Sequence, residues 1–328
     1  MMRKIITVEE HYEIPAPATK GNFKTQVNAK GENPSAVTQL LTDFDQKLKY
    51  MDKYGITMQV ISNAGHSPQL LDDVKESIAG CRKSNDFLAE QVKKHPDRFA
   101  GLAVLPVGDP DAAAEELKRS INELGLSGAL IAGVPNGHFL DEPQYLPIFA
   151  EAEELNVPLY LHPGMISKAE RDLLYKSPSY SDKLGDMIGL AGWGWHIESG
   201  TQMIRLIASG LFDKYPNLHL VSGHWGENVP NFLERLDEFT GMVHPPLDRK
   251  FSDYYRDNVY VTASGMFTEP QMTLALSEMG PDHVLWAEDF PFLQRKEQVA
   301  DFLENAKIDE ETKDKISHQN SEKLFNLK

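Results

Sequence analysis

The stretch Lys4-Ile5-Ile6-Thr7-Val8-Glu9-Glu10-His11-Tyr12 opens on a β-branched run and ends in two carboxylates and an imidazole. The run reads as a buried strand. If that strand continues through His11, alternation points Glu9 and His11 to one face and Glu10 to the other. A carboxylate and an imidazole two apart at the C-terminal end of a strand can both reach one divalent metal ion. Taken alone, the same letters also describe a strand that simply ends in polar residues. The choice turns on how later strands end.

Seven further strand-like runs follow, at 58–62, 99–106, 126–131, 157–162, 218–224, 259–263 and 284–289. Segments with helical spacing lie between them at 69–94, 109–124, 200–213 and 228–241. The clearest has Asp109 as N-cap, Pro110 in the first turn, apolar positions Ala113, Leu117, Ile121 and Leu124, and a stop at Gly125. Strands alternating with helices imply parallel pairing through crossovers. Eight such units without a change of composition predict an α/β fold, a closed but distorted (β/α)8 TIM barrel forming a single domain over residues 1–328. An open doubly wound sheet is the alternative, but no Gly-rich turn follows the first strand. The long connections 12–48 and 164–198 show no clear periodicity and, in a barrel, would cap the pocket. Gly192-Trp193-Gly194-Trp195-His196, inside the second, suits a tightly packed turn as well as a substrate wall.

In a barrel the C-terminal strand ends converge on one mouth. The first ends in Glu9-Glu10-His11, the fifth in His162-Pro163-Gly164, the sixth in Gly223-His224-Trp225-Gly226-Glu227, and the eighth in Glu288-Asp289-Phe290-Pro291. Glu9, His11, His162 and Asp289 supply two carboxylates and two imidazoles, a sensible ligand set for one Zn2+ or Mn2+ with a position left for water or substrate. Each also has an everyday reading: His162 as a loop residue, Asp289 as a helix cap, His224 and Glu227 as turn residues. Their joint occurrence at the same end of several strands favours the metal site. His219 shares the parity of Val221 and reads as structural, and His66, His95, His138, His244, His283 and His318 receive no role.

Bulk composition narrows the function classes. With Lys plus Arg at 33 and Asp plus Glu at 49, the formal charge is 33 − 49 = −16, which argues against nucleic-acid or anionic-membrane partners. A small anionic substrate stays open, because a bound cation reverses the local field. The single cysteine, Cys81, excludes an internal disulfide and a Cys-based zinc site. Mean hydropathy is −0.41, and no run has the length of a membrane span. The first apolar run stops at Glu9-Glu10, so no signal peptide is expected and the expected location is cytoplasmic.

These residues resemble the metal-dependent amidohydrolase superfamily, and within it the branch of non-oxidative decarboxylases typified by the dihydroxybenzoate (γ-resorcylate) enzymes. Similar pieces span almost the whole chain. They include Glu9-Glu10-His11, Met51-Asp52-Lys53-Tyr54-Gly55-Ile56, Asn85-Asp86-Phe87-Leu88-Ala89-Glu90, Tyr160-Leu161-His162-Pro163, Gly223-His224-Trp225-Gly226-Glu227, Asp289-Phe290-Pro291-Phe292 and Asn320-Ser321-Glu322-Lys323-Leu324-Phe325. The resemblance implies Glu9, His11, His162 and Asp289 as metal ligands. It implies His224 and Glu227 as the pair that contacts or orients substrate, and Arg235 as an arginine reaching the site of a neighbouring subunit in a homo-oligomer, dimer or tetramer. Two departures concern the substrate: Ala132 stands where the resorcylate enzymes place a substrate-binding asparagine, and residues 12–35 differ where an aromatic residue covers the ring. No lysine ends the fourth strand, so the bridge of two-metal members is absent and a mononuclear site is implied.

The implied activity is a metal-dependent carboxy-lyase acting on a hydroxylated aromatic or related unsaturated carboxylic acid, with Asp289 delivering a proton to the ipso carbon and His224, oriented by Glu227, binding a substrate oxygen. A mononuclear, lactonase-like hydrolase on the same barrel is the alternative, since it needs the same ligands and the same acid–base group.

Overall fold

The computed structural model describes residues 3–15, 34–63, 67–134, 137–243 and 247–327. Residues 16–33 of the first long connection, with most of its departure from the resorcylate enzymes, lie outside the described residues, as do His66 and His244. The strands are β1 Ile6–Tyr12, β2 Met58–Asn63, β3 Phe99–Gly101, β4 Ala103–Val104, β5 Ala129–Ala132, β6 Leu159–His162, β7 Leu220–Ser222, β8 Val259–Thr262 and β9 Val284–Leu285. Every pairing is parallel, in the order β1-β2-β3 and β4-β5-β6-β7-β8-β9. The expected third strand is thus divided at Leu102, yet the chain runs on: Leu102 N–H donates to Ile61 O at 2.8 Å and Ala103 N–H to Gly128 O at 2.8 Å. At the other seam Val8 N–H donates to Trp286 O at 2.9 Å and His11 N–H to Phe290 O at 2.7 Å. The result is the expected distorted (β/α)8 barrel, with β9 short because residues 286–290 meet β1 irregularly.

Alternation sorts the apolar residues into two layers. Val8, Val60, Leu130, Tyr160, Val221 and Leu285 fill the barrel interior, joined by Leu324 and Phe325 from the C-terminal helix. Residues of opposite parity, such as Ile61, Ile131 and Val261, pack outward against helix residues such as Leu117, Phe149 and Leu206. Each such fully buried side chain stabilises the fold by roughly 1.5–3 kcal/mol. Asn320 Nδ2 donates to Pro281 O and Val284 O, both at 2.8 Å, and so fastens the C-terminal helix below β9.

Helix limits differ from the periodicity where a cap overrides it. Asp73 accepts from the N–H groups of Lys75 and Glu76, so the helix begins at Val74 rather than 69 and runs to Lys94. The expected 200–213 segment begins earlier, as Gly194–Ala208, and is broken at Gly210, whose φ of 76° a helix cannot hold, before Leu211–Lys214. Asn228 at φ 68° and Pro230 delay the next helix to Leu233–Thr240. The connection 164–198 is not irregular: it forms helices Lys168–Tyr175 and Asp182–Met187, the first opened by a Ser167/Glu170 capping box.

Candidate active site

Glu9 is an extra residue in the first ladder. Val8 pairs with Val60 and Glu10 with Ile61, so Glu9 has no partner across the pair. Its φ is 91°, a left-handed value that a glutamate seldom adopts. Val8 packs inside the barrel; under unbroken alternation Glu10 would follow it inward and His11 would face the helices. Past the bulge, His11 turns to the mouth instead. The expected pairing of Glu9 with His11 is present, on a backbone that strict alternation does not describe.

The strand ends meet. His11 Nε2 lies 3.3 Å from Asp289 Oδ1, and His162 Nε2 lies 3.5 Å from Glu9 Oε1. The two rings stand edge to face with centroids 5.2 Å apart. Neighbours fix both tautomers. The Ser62 hydroxyl donates to Glu10 O at 3.3 Å, so its oxygen accepts from His11 Nδ1–H at 3.1 Å. His162 Nδ1–H donates to Pro163 O at 2.6 Å. Each Nε2 therefore presents a lone pair to a carboxylate oxygen. Glu9 Oε2 accepts from Thr262 Oγ1 at 3.2 Å and from Ser264 Oγ, whereas Glu9 Oε1 and His11 Nε2 are buried without a hydrogen-bond partner among the described residues.

Acceptor facing acceptor in a buried site needs a proton or a cation between them. Both imidazoles are ready to serve as neutral ligands. Burial lowers His11 to about 4 despite the pull of Glu9, and burial, then the charge of His11, lowers His162. Burial, then the charge of Glu9, pushes Asp289 up to about 7. Two carboxylates and two neutral imidazoles with bare Nε2 atoms fit a hard or borderline divalent ion.

A second cluster adjoins the first. Glu227 is buried and spends one oxygen on each of two imidazoles: Oε1 accepts from His224 Nδ1 at 2.8 Å, Oε2 from His196 Nδ1 at 2.7 Å. The two rings lie 4.4 Å apart, and His196 Nε2 is 3.0 Å from Ala191 O. Burial opposes charge on both partners, but their attraction outweighs it. Glu227 falls to about 2 beside His224, and His224 rises to about 10 beside Glu227 and Glu9. One ligand atom each from His196, His224 and Glu227 falls within 4.8 Å of the others, so this trio could also hold a metal ion. Its two Nδ1 atoms and both carboxylate oxygens are already engaged with one another, however, while Glu9 Oε1 and His11 Nε2 are not. The four-residue set is the better cradle, and the trio reads as an imidazolium pinned to its carboxylate.

His196 was not among the expected site residues. Its one signal is its place in the Gly-Trp-Gly-Trp-His cluster, and nothing in the sequence ties it to Glu227, 31 positions on. Ser264 is another addition: its hydroxyl accepts from His224 N–H at 2.9 Å as well as donating to Glu9. Two more carboxylates, Glu10 and Glu288, are buried behind the mouth, and burial pushes both up. Glu10 accepts through both oxygens, so Glu288, whose Oε2 has no hydrogen-bond partner among the described residues, is the one placed to keep a proton. Arg235 does not join the cluster of its own chain. It is 65% exposed, pairs with Glu238 at 3.0 Å and lies over the Phe239 ring at 5.3 Å. His219 stands edge to face on Tyr260 at 5.5 Å, with Tyr260 stacked on His283, away from the mouth.

A parallel barrel that gathers carboxylates and imidazoles at its C-terminal mouth defines a class, and comparison names the family. The family model described as Amidohydrolase matches residues 32–327, and the chain belongs to that family. Within it the chain falls in the decarboxylase branch. It is 34% identical over 342 residues to the γ-resorcylate decarboxylase of Rhizobium sp. (strain MTP-10005), covering 99% of each chain. The structure of 2,6-dihydroxybenzoate decarboxylase complexed with 2,6-dihydroxybenzoate superposes with a TM-score of 0.86 at 34% identity, over 99% of this chain and 100% of that one. Dihydroxybenzoic acid decarboxylase from Polaromonas sp. JS666, with bound manganese and the inhibitor 2-nitroresorcinol, gives 0.87 at 33% identity over 99% and 98%. The chain is an enzyme of the metal-dependent carboxy-lyase class. No helix among the described residues is long and apolar enough to cross a membrane.

Proposed function

We propose that this chain decarboxylates an ortho-hydroxylated benzoate or a related unsaturated acid without oxidation, using one divalent ion, Zn2+ or Mn2+, held by Glu9, His11, His162 and Asp289. The supporting observation is the pair of buried acceptor-to-acceptor contacts, with Glu9 Oε1 and His11 Nε2 lacking hydrogen-bond partners among the described residues. When bound, the ion supplies a Lewis-acidic anchor for the substrate carboxylate. Direct loss of CO2 would leave a carbanion on the ring, so the ipso carbon has to be protonated first. Asp289, raised to about 7 by burial and by Glu9, is the group that can hold and deliver that proton near neutral pH. As the carbon–carboxylate bond breaks, its electrons return to the ring and CO2 departs. His224, held cationic and fixed through Nδ1 by Glu227, has Nε2–H left to donate to a phenolic or carboxylate oxygen. Ala132 ends β5 with only a methyl group and offers a substrate no side-chain donor there.

The same reading makes residues 1–328 one barrel domain that works as a homo-oligomer, dimer or tetramer, with Arg235 serving a neighbouring subunit. Its support is the exposure of Arg235 beside the exposed apolar side chains of Phe232, Phe239, Met242 and Val243. A cytoplasmic setting is supported by the lone, buried Cys81. The experiment is CO2 release from a panel of ortho-hydroxybenzoates by purified protein of known metal content. We expect release with about one ion per chain, abolished by Asp289→Asn. Turnover of a lactone with no CO2 from any acid would move the function to the hydrolase.

A further inference from the structure

Glu10 is fully buried and turned away from the mouth, between two residues that face it. Its carboxylate accepts two main-chain N–H groups, Oε1 from Glu288 at 2.9 Å and Oε2 from Phe290 at 2.8 Å. Those two residues flank Asp289. In a regular parallel pair both N–H groups would find carbonyls of the neighbouring strand. Here the extra residue at Glu9 throws β1 out of register, and the Glu10 side chain receives them in place of the main chain. A carboxylate has two acceptor oxygens for this purpose, and an amide has one. The seam is tied from the other side by Lys47, whose buried Nζ donates to His11 O at 2.6 Å and lies 5.0 Å above the Phe290 ring. Asp289 itself is at φ 65°, a conformation that an aspartate keeps only where its surroundings over-determine it.

We propose that Glu10 is a positioning residue for Asp289: its carboxylate clamps the main chain on both sides of Asp289 and sets that side chain against Glu9 and His11. The inference rests on the reading of Asp289 as metal ligand and proton donor. It explains why consecutive glutamates occupy the end of β1, the first for the mouth and the second for the backbone across the seam.

The test compares wild type with Glu10→Gln, which keeps one acceptor and opposes an NH2 group to the other N–H. The control is Asn258→Ala, which removes another buried side chain that ties main chain, through Pro216 O and Leu218 O. Four quantities are read: Tm, Mn2+ affinity by electron paramagnetic resonance, and kcat and KM under saturating Mn2+. We expect Glu10→Gln to bind Mn2+ at least about tenfold more weakly. Its kcat should fall at least about tenfold with KM within about threefold, as for a group that acts on the transition state. Asn258→Ala should lose Tm alone. If Glu10→Gln does not fold, Glu10→Asp, which keeps the charge on an arm too short for both N–H groups, is judged by the same criteria. Wild-type kcat and Mn2+ affinity in the glutamate variant, with Tm lowered as in the control, overturn the proposal. If wild type releases no CO2 from any acid, the decarboxylase reading fails on its own, and the Mn2+ affinities still decide the role of Glu10.

Discussion

Replacing Glu227 by glutamine removes the anion that His224 and His196 share, and the structure gives the size and pH window of the loss. The Glu227 carboxyl is lowered from 4.5 to about 2. At 1.36 kcal/mol per unit that is about 3 kcal/mol. The rise of His224 from 6.5 to about 10 is larger, but it also contains the pull of Glu9 and Asp289, so the Glu227 figure is the one that measures this carboxylate. A lowered carboxyl stabilises the fold fully above its unfolded value near 4.5 and loses that contribution as pH falls towards 2. A raised imidazole stabilises it fully below 6.5 and loses the contribution as pH rises towards 10. Both are whole only between about pH 4.5 and 6.5. Urea unfolding of the metal-free wild type and of Glu227→Gln, from about pH 3 to 9, reads the difference directly. It should reach about 3 kcal/mol near pH 5.5 and shrink on either side. A difference that stays flat from pH 4 to 9, or a variant as stable as wild type at pH 5.5, refutes the reasoning.

Gly223 lies under the cradle, and a Cβ there would stand 3.1 Å from Glu9 Oε1 and from the Tyr160 hydroxyl, and 3.2 Å from Ser264 Oγ. Its φ of −69° suits any residue, so Gly223→Ala tests space alone: Mn2+ affinity should fall about tenfold with Tm lowered by only a few degrees, checked by metal titration and calorimetry. Chelation should lower Tm, and Mn2+ restored to 100 times its Kd should return about 2.7 kcal/mol; a Tm indifferent to metal would contradict the cradle. Arg235→Ala should leave the fold intact and lower kcat/KM in an assembly seen by sedimentation. A monomeric wild type together with an unchanged variant would remove Arg235 from the site.

The strands and the convergence of their ends were legible because both depend on local patterns: β-branched runs, and ligand-type side chains where those runs stop. The bulge at Glu9 was not, because it arises from pairing with β2, and no residue type in Val8-Glu9-Glu10 announces it. The same holds for His196 and Ser264, which matter only through partners brought near by the barrel. The helices Lys168–Tyr175 and Asp182–Met187 were a different kind of omission. Ser167-Lys168-Ala169-Glu170 has the spacing of a capping box, a local signal available from the letters themselves. Arg235 stands apart, since the service to a neighbouring copy proposed for it would leave no mark on its own chain beyond exposure.

The displaced register at Glu9 bears on any attempt to transplant this chemistry. Grafting a glutamate and a histidine two apart onto the end of a regular strand in another barrel would aim both at the helices whenever the residue before them points inward. The portable unit is the spare residue together with the pair it redirects, the left-handed turn at Glu9, and an acceptor such as Glu10 to occupy the two amide hydrogens that the slip sets free. Conversely, deleting Glu9 would close the ladder into a regular one, Val8 and Glu10 against Val60 and Ile61, with His11 still turned to the mouth, and the carboxylate lost would be the one that only a spare residue can offer there.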